Sequence, residues 1–203
     1  MNLRESLLSK PHVYSFFQRI ISRKGINERI ISDFLKPFEG MSVLDVGSGT
    51  SKIITNLPEC LYVAVDHNTK YIQQARREFG TRGTFFCAEV SDIKKFVEHK
   101  FDRILILRVL HHLSDTQVAK LLDECAELLN EGGIILSLDV AFTHEQNWIA
   151  RLLASYDRGR FVRRPEEYGQ LISERLNIVR TEVIEGMLRI PYTHVVFSFT
   201  NIS

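Results

Sequence analysis

Tryptophan occurs once in this chain of 203 residues, cysteine three times and proline five times. The cysteines, Cys60, Cys87 and Cys125, are odd in number, widely spaced and in no CxxC pair, which excludes a disulfide framework and a thiolate-rich metal site. Buried, reduced thiols are expected instead, since Cys125 falls on the apolar face of a helical pattern and Cys87 ends a strand pattern. An excess of one charge is missing too. The 26 Lys and Arg against 25 Asp and Glu leave a formal net charge of +1. No general attraction to nucleic acid or to an anionic membrane is expected from that balance. No apolar run is long enough to span a bilayer, and Arg4, Glu5 and Lys10 interrupt the N-terminus where a signal peptide would be apolar. A reducing cytoplasm is the expected location. Linkers, repeats and low-complexity tracts are absent, so residues 1–203 are read as one domain. His144-Glu145 has no second His four residues on, and no metal is expected.

What is present is a change of texture near residue 41. Before it lie two helical patterns, one carried by Val13, Phe16, Phe17, Ile20 and Ile21, the other by Ile26, Ile30 and Phe34. After it short apolar runs alternate with helical ones. Strands are expected at Ser42 to Val46, Leu61 to Val65, Thr84 to Cys87, Arg103 to Leu107 and Ile134 to Leu138. Asn68 can cap a helix with Tyr71, Ile72, Ala75 and Phe79 inward. Ser114 with Gln117 makes a capping box for a longer helix that buries Val118, Leu121, Leu122, Cys125, Leu128 and Leu129, with Gly132 and Gly133 ending it. Pro165 opens a last helix, and two strands around Pro191 form an antiparallel hairpin. The expected architecture is α/β: a doubly wound, mostly parallel sheet with one antiparallel C-terminal strand and helices on both faces.

The first strand and its turn read Val43-Leu44-Asp45-Val46-Gly47-Ser48-Gly49-Thr50-Ser51. Glycines there let a ligand approach the backbone, and Asp66, ending the second strand, can take the two hydroxyls of a ribose. Lys52 stands where a dinucleotide fingerprint wants a third glycine, and no GxxxxGK[ST] exists for a nucleoside triphosphate. Asp45 inside the strand would repel a pyrophosphate but suits a ligand bearing an ammonium and a sulfonium. These features select S-adenosylmethionine, with S-adenosylhomocysteine as product.

The stretch 41–140 resembles the class I (Rossmann-like) S-adenosylmethionine-dependent methyltransferases of small-molecule type. Val43 to Gly49 is similar to that family's first motif, and Leu61 to Asp66 to its second. Ala88-Glu89-Val90 is similar to the segment that meets the adenine. Phe101 to Leu113, ending in Leu-His-His, resembles the fourth-strand motif, and Leu128 to Gly133 the turn into strand five. Ser51 replaces the third motif glycine, and Glu89 stands where aspartate is frequent. The resemblance implies cofactor contacts at Asp45, Gly47, Ser48, Gly49, Asp66, His67, Glu89, Val90 and Leu107. It also implies a helical lid over residues 1–40, in which Tyr14 would serve. Residues 41–140 would be the cofactor-binding core, and 141–203 the acceptor-side helices and hairpin.

On the acceptor side the candidates for a general base are His112, His194 and His111 in that order. Consecutive side chains diverge, so His111 and His112 are not expected to share a metal. Arg158, Arg160, Arg163 and Arg164 form a dense basic run that suits an anionic acceptor. Tyr192 and His194 at the final turn would face it. The expected function is O- or N-methylation of a small, anionic molecule by a monomer or homodimer, without nucleic acid or membrane partners. A non-catalytic module that binds the cofactor or regulates a partner is the alternative. A nicotinamide-dependent oxidoreductase is disfavoured by Lys52 and Asp45.

Overall fold

The structure is a computed structural model that describes residues 25–143, 146, 160–185 and 192–202. Tyr14, Arg158 and the first helical pattern lie outside the described residues. Seven strands form one sheet: β1 Ser42–Val46, β2 Leu61–Asp66, β3 Gly83–Cys87, β4 Phe101–Leu107, β5 Leu129–Val140, β6 Asn177–Glu185 and β7 Thr193–Thr200. Their order is β3-β2-β1-β4-β5-β7-β6. β1 to β5 pair in parallel, whereas β7 runs antiparallel to both β5 and β6. Among the described strands β7 is thus the single antiparallel one, as the sequence pattern predicts.

The central strands are apolar at consecutive positions because both faces are covered. On one face Leu44, Val46, Ile104 and Ile106 pack with Val118, Leu121, Leu122 and Cys125 of helix α3 (Asp115–Leu128) and with Tyr168 and Ile172 of α4 (Pro165–Ser173). On the other face Val43, Ala64, Leu105 and Leu136 meet Ile72 and Ala75 of α2 (Thr69–Phe79) and Ile31, Phe34 and Leu35. Those last three follow α1 (Ile26–Ile30) in a π-helical turn, Ile31–Leu35, stopped by left-handed Lys36. The carbonyls of Leu35 and Lys36 at its end accept from the guanidinium of Arg103, at 2.6 and 3.0 Å. That supplies the partners a helix end lacks.

Local capping follows the sequence. The Asn68 side chain accepts from the Lys70 and Tyr71 N–H groups, and Ser114 with Gln117 closes a capping box. After Gly49 the chain makes a 3-10 turn, Lys52–Asn56, because the run Ile53-Ile54-Thr55 is β-branched and Pro58 stops any extension. Two expectations need correction. Gly132 and Gly133 do not end α3. The chain passes straight from Leu128 into β5, and the glycines form a bulge between the pairs Phe101–Leu129 and Arg103–Ile134. Of the thiols only Cys125 is buried, Cys60 being intermediate and Cys87 exposed at the carboxyl end of β3.

Candidate active site

The carboxyl ends of β1, β2 and β3 bring the first group of expected residues to one edge. Beyond Val46 the N–H groups of Gly47 and Ser48 both donate to the Val65 carbonyl, at 2.8 and 3.1 Å, which folds the loop over the end of β2. Gly47 and Gly49 are left-handed, with φ of 68° and 56°. Their surroundings differ. A Cβ on Gly47 would lie 2.5 Å from Val109 Cγ2, whereas one on Gly49 would meet nothing within 4 Å. Ser51 is also left-handed (φ 54°) and fully buried, in the place where a glycine would carry no strain.

Asp66 ties this loop down. One carboxylate oxygen accepts from the Gly49 N–H at 2.8 Å, and the other from the Asn68 N–H at 2.8 Å. A carboxylate oxygen has two lone pairs, so each retains capacity for a ligand hydroxyl. His67 is exposed beside it. The Ala88 N–H donates to the Asp66 carbonyl at 3.1 Å, which places exposed Glu89 and half-buried Val90 at the same edge.

Asp45 lies inside β1, as read from the sequence. Strand alternation puts it on the face of Val43 and Tyr62, and the Tyr62 hydroxyl donates to its carboxylate. Burial pushes its pKa up to about 7; the Tyr62 hydrogen bond opposes this, and the neighbouring Asp66 charge adds to it. The fixed negative charge that the sequence implied is therefore conditional on pH.

The ends of β4 and β5 supply the second group. Leu107 lines a shallow apolar depression with Ile30, Ile31, Ile53, Leu136 and Leu138. Arg108 follows in the left-handed region (φ 61°), its N–H held by the Leu138 carbonyl at 2.7 Å. For a residue with a long side chain such a backbone costs on the order of 1–3 kcal/mol, and strain of this kind clusters at functional sites. Next comes a 3-10 turn, Leu110–His112, with His111 buried and His112 exposed. His111 Nδ1 lies 2.7 Å from Asp139 Oδ1, which also accepts the His111 N–H at 3.2 Å. Burial raises the Asp139 pKa, and its bonds to His111 lower it by less. The His111 and His112 rings do not diverge; their centroids are 4.1 Å apart. Among the described residues no group of three or more His, Cys, Asp or Glu is placed to hold a metal ion. No described helix is long and apolar enough to cross a membrane.

Two further expectations change. Arg163, taken for an acceptor-binding arm, is only 8% exposed. Its guanidinium donates to Asp115 Oδ1 at 3.0 and 2.7 Å and to the carbonyls of Leu110, Phe161 and Leu113. Those contacts use its donors to clamp the turn after β4 onto the segment before α4. His194, taken for a base, lies inside β7 between Val140 and Ile184 and is buried. Because Val195 is the partner of Asp139, His194 points to the opposite face of the sheet from the His111–Asp139 pair. Arg160 and Arg164 are exposed, and Tyr192 stacks obliquely on His194 at 6.0 Å. Asp139, Tyr62 and Arg108 escaped the sequence reading. A single acid inside the apolar run Leu136-Ser137-Leu138-Asp139-Val140 was the available signal for the first.

Residues 43–133 match the family model described as "Methyltransferase domain". A ubiquinone biosynthesis O-methyltransferase from Chelativorans sp. (strain BNC1) is 28% identical over 141 residues, covering 68% of this chain and 55% of the relative. The chain thus spans about half the length of that curated relative. Among solved structures, the N-methyltransferase NodS from Bradyrhizobium japonicum WM9, in complex with S-adenosyl-L-homocysteine, superposes with a TM-score of 0.67. Its identity is 15%, over 87% of this chain and 86% of that one. The O-methyltransferase NcsB1 from neocarzinostatin biosynthesis, in complex with S-adenosylmethionine and 2-hydroxy-5-methyl naphthoic acid, gives a TM-score of 0.67. The identity is 19%, over 100% of this chain and 62% of that one. These structures share the fold of this chain.

Proposed function

With the match of residues 43–133 to a methyltransferase-domain model as premise, we propose that this protein uses S-adenosylmethionine to methylate an oxygen or nitrogen of a small molecule. The observation that carries this reading is the Gly47–Gly49 loop. It is tied to Asp66 through the Gly49 N–H and has open space where a Gly49 side chain would be. The fit is supported by the Ser48 hydroxyl in the same loop, buried without a hydrogen-bond partner among the described residues. When bound, the cofactor supplies a methyl group activated by a sulfonium. Residues 41–140 hold it, with Asp66 accepting from ribose hydroxyls and Glu89 and Val90 at the adenine end. The flanking segments serve the acceptor. The relative named for ubiquinone biosynthesis and the naphthoic acid held by NcsB1 favour a ring-bearing acceptor.

An in-line displacement asks the protein mainly to align the acceptor and exclude water. A hydroxyl acceptor also has to lose a proton. Geometry favours His111 over His112 and His194 for that task, because Asp139 fixes its ring through Nδ1. An amine acceptor needs no such base. A cofactor-binding module without turnover is the rival, and it predicts the same binding.

Calorimetry with S-adenosylhomocysteine tests the cofactor site. Asp66→Ala is expected to weaken binding by roughly 1.5–3 kcal/mol, the range for a hydrogen bond to a charged group. Equal affinity in the variant rules the assignment out. Release of S-adenosylhomocysteine from the methylated cofactor in the presence of a catechol separates enzyme from module. In that assay Asp139→Asn is expected to lower the rate and shift its pH profile, and an unchanged profile leaves His111 a structural residue.

A further inference from the structure

The seven-stranded sheet ends at β3 on one side and at β6 on the other. The β3 edge is five residues long, and the Arg76 guanidinium takes its Phe85 carbonyl. The β6 edge, Asn177–Glu185, is nine residues long, and β7 is its only strand partner among the described residues. Such an edge offers a row of backbone donors and acceptors to any chain that can pair with it. Two apolar side chains on it are also open to solvent, Val179 at 57% exposure and Val183 at 43%.

The sequence of this edge is its own complement. Val179-Arg180-Thr181-Glu182-Val183 is symmetric about Thr181, with an arginine on one side matched by a glutamate on the other. Antiparallel pairing of two copies about a two-fold axis at Thr181 sets Val179 opposite Val183 and Arg180 opposite Glu182, each contact being made twice. Side chains directly opposed in an antiparallel pair are near neighbours, so both matches are favourable. The pleat restricts alternative registers to shifts that keep every side chain on its face. The nearest of these set Arg180 opposite Arg180 or Glu182 opposite Glu182, and parallel pairing does both. The symmetric order continues to Ile178 and Ile184. Those two pack inward on opposite faces, because a bulge between Ile178 and Arg180 shifts the alternation. The self-matching run is therefore Val179 to Val183.

The two charges are held on one face. Arg180 donates to Glu182 along the strand at 3.2 Å and lies over the Phe34 ring, while Arg29 of α1 pairs with the same glutamate. Both side chains remain partly exposed, at 45% and 31%. An edge guarded against pairing needs only charges of one sign, whereas this edge carries opposite signs at symmetric places.

We propose that β6 is the interface of a homodimer, in which two copies pair antiparallel through Val179 to Val183 about Thr181. The partner is a second copy of this chain because the complement of the edge is the edge itself. Backbone hydrogen bonds and the two valine pairs hold the copies together. The exposed Arg180–Glu182 pairs add little energy and set direction and register. The two sheets then continue as one. A two-fold axis at β6 reverses strand direction, so the candidate active sites of the two copies open on opposite edges of the joined sheet. Neither copy covers the site of the other, and the inference stands apart from the reading of the cofactor loop.

Sedimentation velocity of the full chain over a concentration series tests it. Wild type is expected to pass from monomer to dimer at micromolar concentration, as suits a small interface. Arg180→Glu and Glu182→Arg each set like charges opposite one another at two places, and each should weaken self-association about tenfold or more. Mixed in equal amounts, these two variants complement each other and should form a heterodimer within about threefold of wild-type affinity. The chain carrying both exchanges should dimerise as wild type does. Side chains that only support the monomer fold predict no such recovery. On the unaltered chain, amide exchange across Val179 to Val183 should slow as concentration rises through the dimer range, which keeps the test independent of how any variant folds. A wild type still monomeric at about 0.5 mM overturns the inference. So does a dimer that ignores both exchanges and their mixture, or amide exchange at Val179 to Val183 that does not respond to concentration.

Discussion

The carboxyl ends of β1 to β3 and those of β4 and β5 lie along one edge of the same sheet, but they are assembled from different material. At the first, backbone does the work. Two glycines and Ser51 in left-handed conformation, and N–H groups donated to Val65 and Asp66, fix a loop within a few residues of the strand it leaves. At the second, side chains from distant elements are joined. His111 meets Asp139, and Arg163 gathers Asp115 with the carbonyls of Leu110 and Leu113. A backbone site tolerates side-chain change except where a Cβ intrudes, while a side-chain site fails by loss of a partner. The two edges should therefore break in different ways.

The largest effect is expected at Gly47. Valine there combines an unfavourable positive φ with a Cβ 2.5 Å from Val109 Cγ2. Overpacking and left-handed strain together should destabilise the fold by about 4 kcal/mol. Gly49→Val meets no neighbour, so only the conformational cost applies to folding, about 1–2 kcal/mol. Its cofactor affinity, by contrast, should be lost. Urea unfolding paired with S-adenosylhomocysteine calorimetry reads both quantities. Two variants equally unstable, or Gly49→Val with wild-type affinity, would remove the distinction between a packing glycine and a binding glycine.

Asp45 offers a smaller effect that depends on pH. Its pKa rises from 3.8 in the unfolded chain to about 7 in the fold, chiefly through burial. The folded state thus holds a proton that the unfolded state releases between these values. Stability should be full below pH 4 on this account and fall as pH rises to 7, levelling off above it. The shift limits the loss to roughly 4 kcal/mol, and relaxation will make it less. Asp45→Asn should flatten that part of the stability curve. A cationic ligand favours the ionised carboxylate, so binding S-adenosylmethionine near pH 7 should release a fraction of a proton, measurable by calorimetry in buffers of different ionisation enthalpy. A slope that persists in Asp45→Asn would assign the linkage to another group.

The same contrast explains what the sequence made legible. The positions of the strands, the capping residues Asn68 and Ser114, and the Gly47–Asp66 arrangement rest on local patterns, and they are where the pattern placed them. Misplaced features depend on long-range pairing. Asp45 read as a fixed charge inside its strand, but the pairing of β1 with β2 buries it beside Tyr62 and raises its pKa. His194 looked like a turn residue, but pairing with both β5 and β6 buries it. Charge density marked Arg163 as a ligand arm, yet density along the chain carries no information about partners 48 to 53 positions away.

The arginine run closes the comparison with the smallest effect. Arg163 is buried, donates to Asp115 and three carbonyls, and its guanidinium lies 5.5 Å from the Tyr168 ring. Arg163→Ala would leave the Leu110 and Leu113 carbonyls without this donor at the turn that carries His111. Asp115 is largely exposed, so water can replace part of what it loses, and the ion pair itself counts for little. The loss should come mainly from the buried carbonyls, about 2–3 kcal/mol in urea unfolding. Arg160 and Arg164 are exposed, and their alanine variants should stay within about 0.5 kcal/mol of wild type. S-adenosylhomocysteine affinity should be unchanged in all three, because the cofactor loop shares none of these contacts. If Arg163→Ala is as stable as wild type and only acceptor turnover falls, Arg163 is a ligand arm after all. The acceptor edge would then bind through the basic run, and the division drawn between the two edges would have to be redrawn.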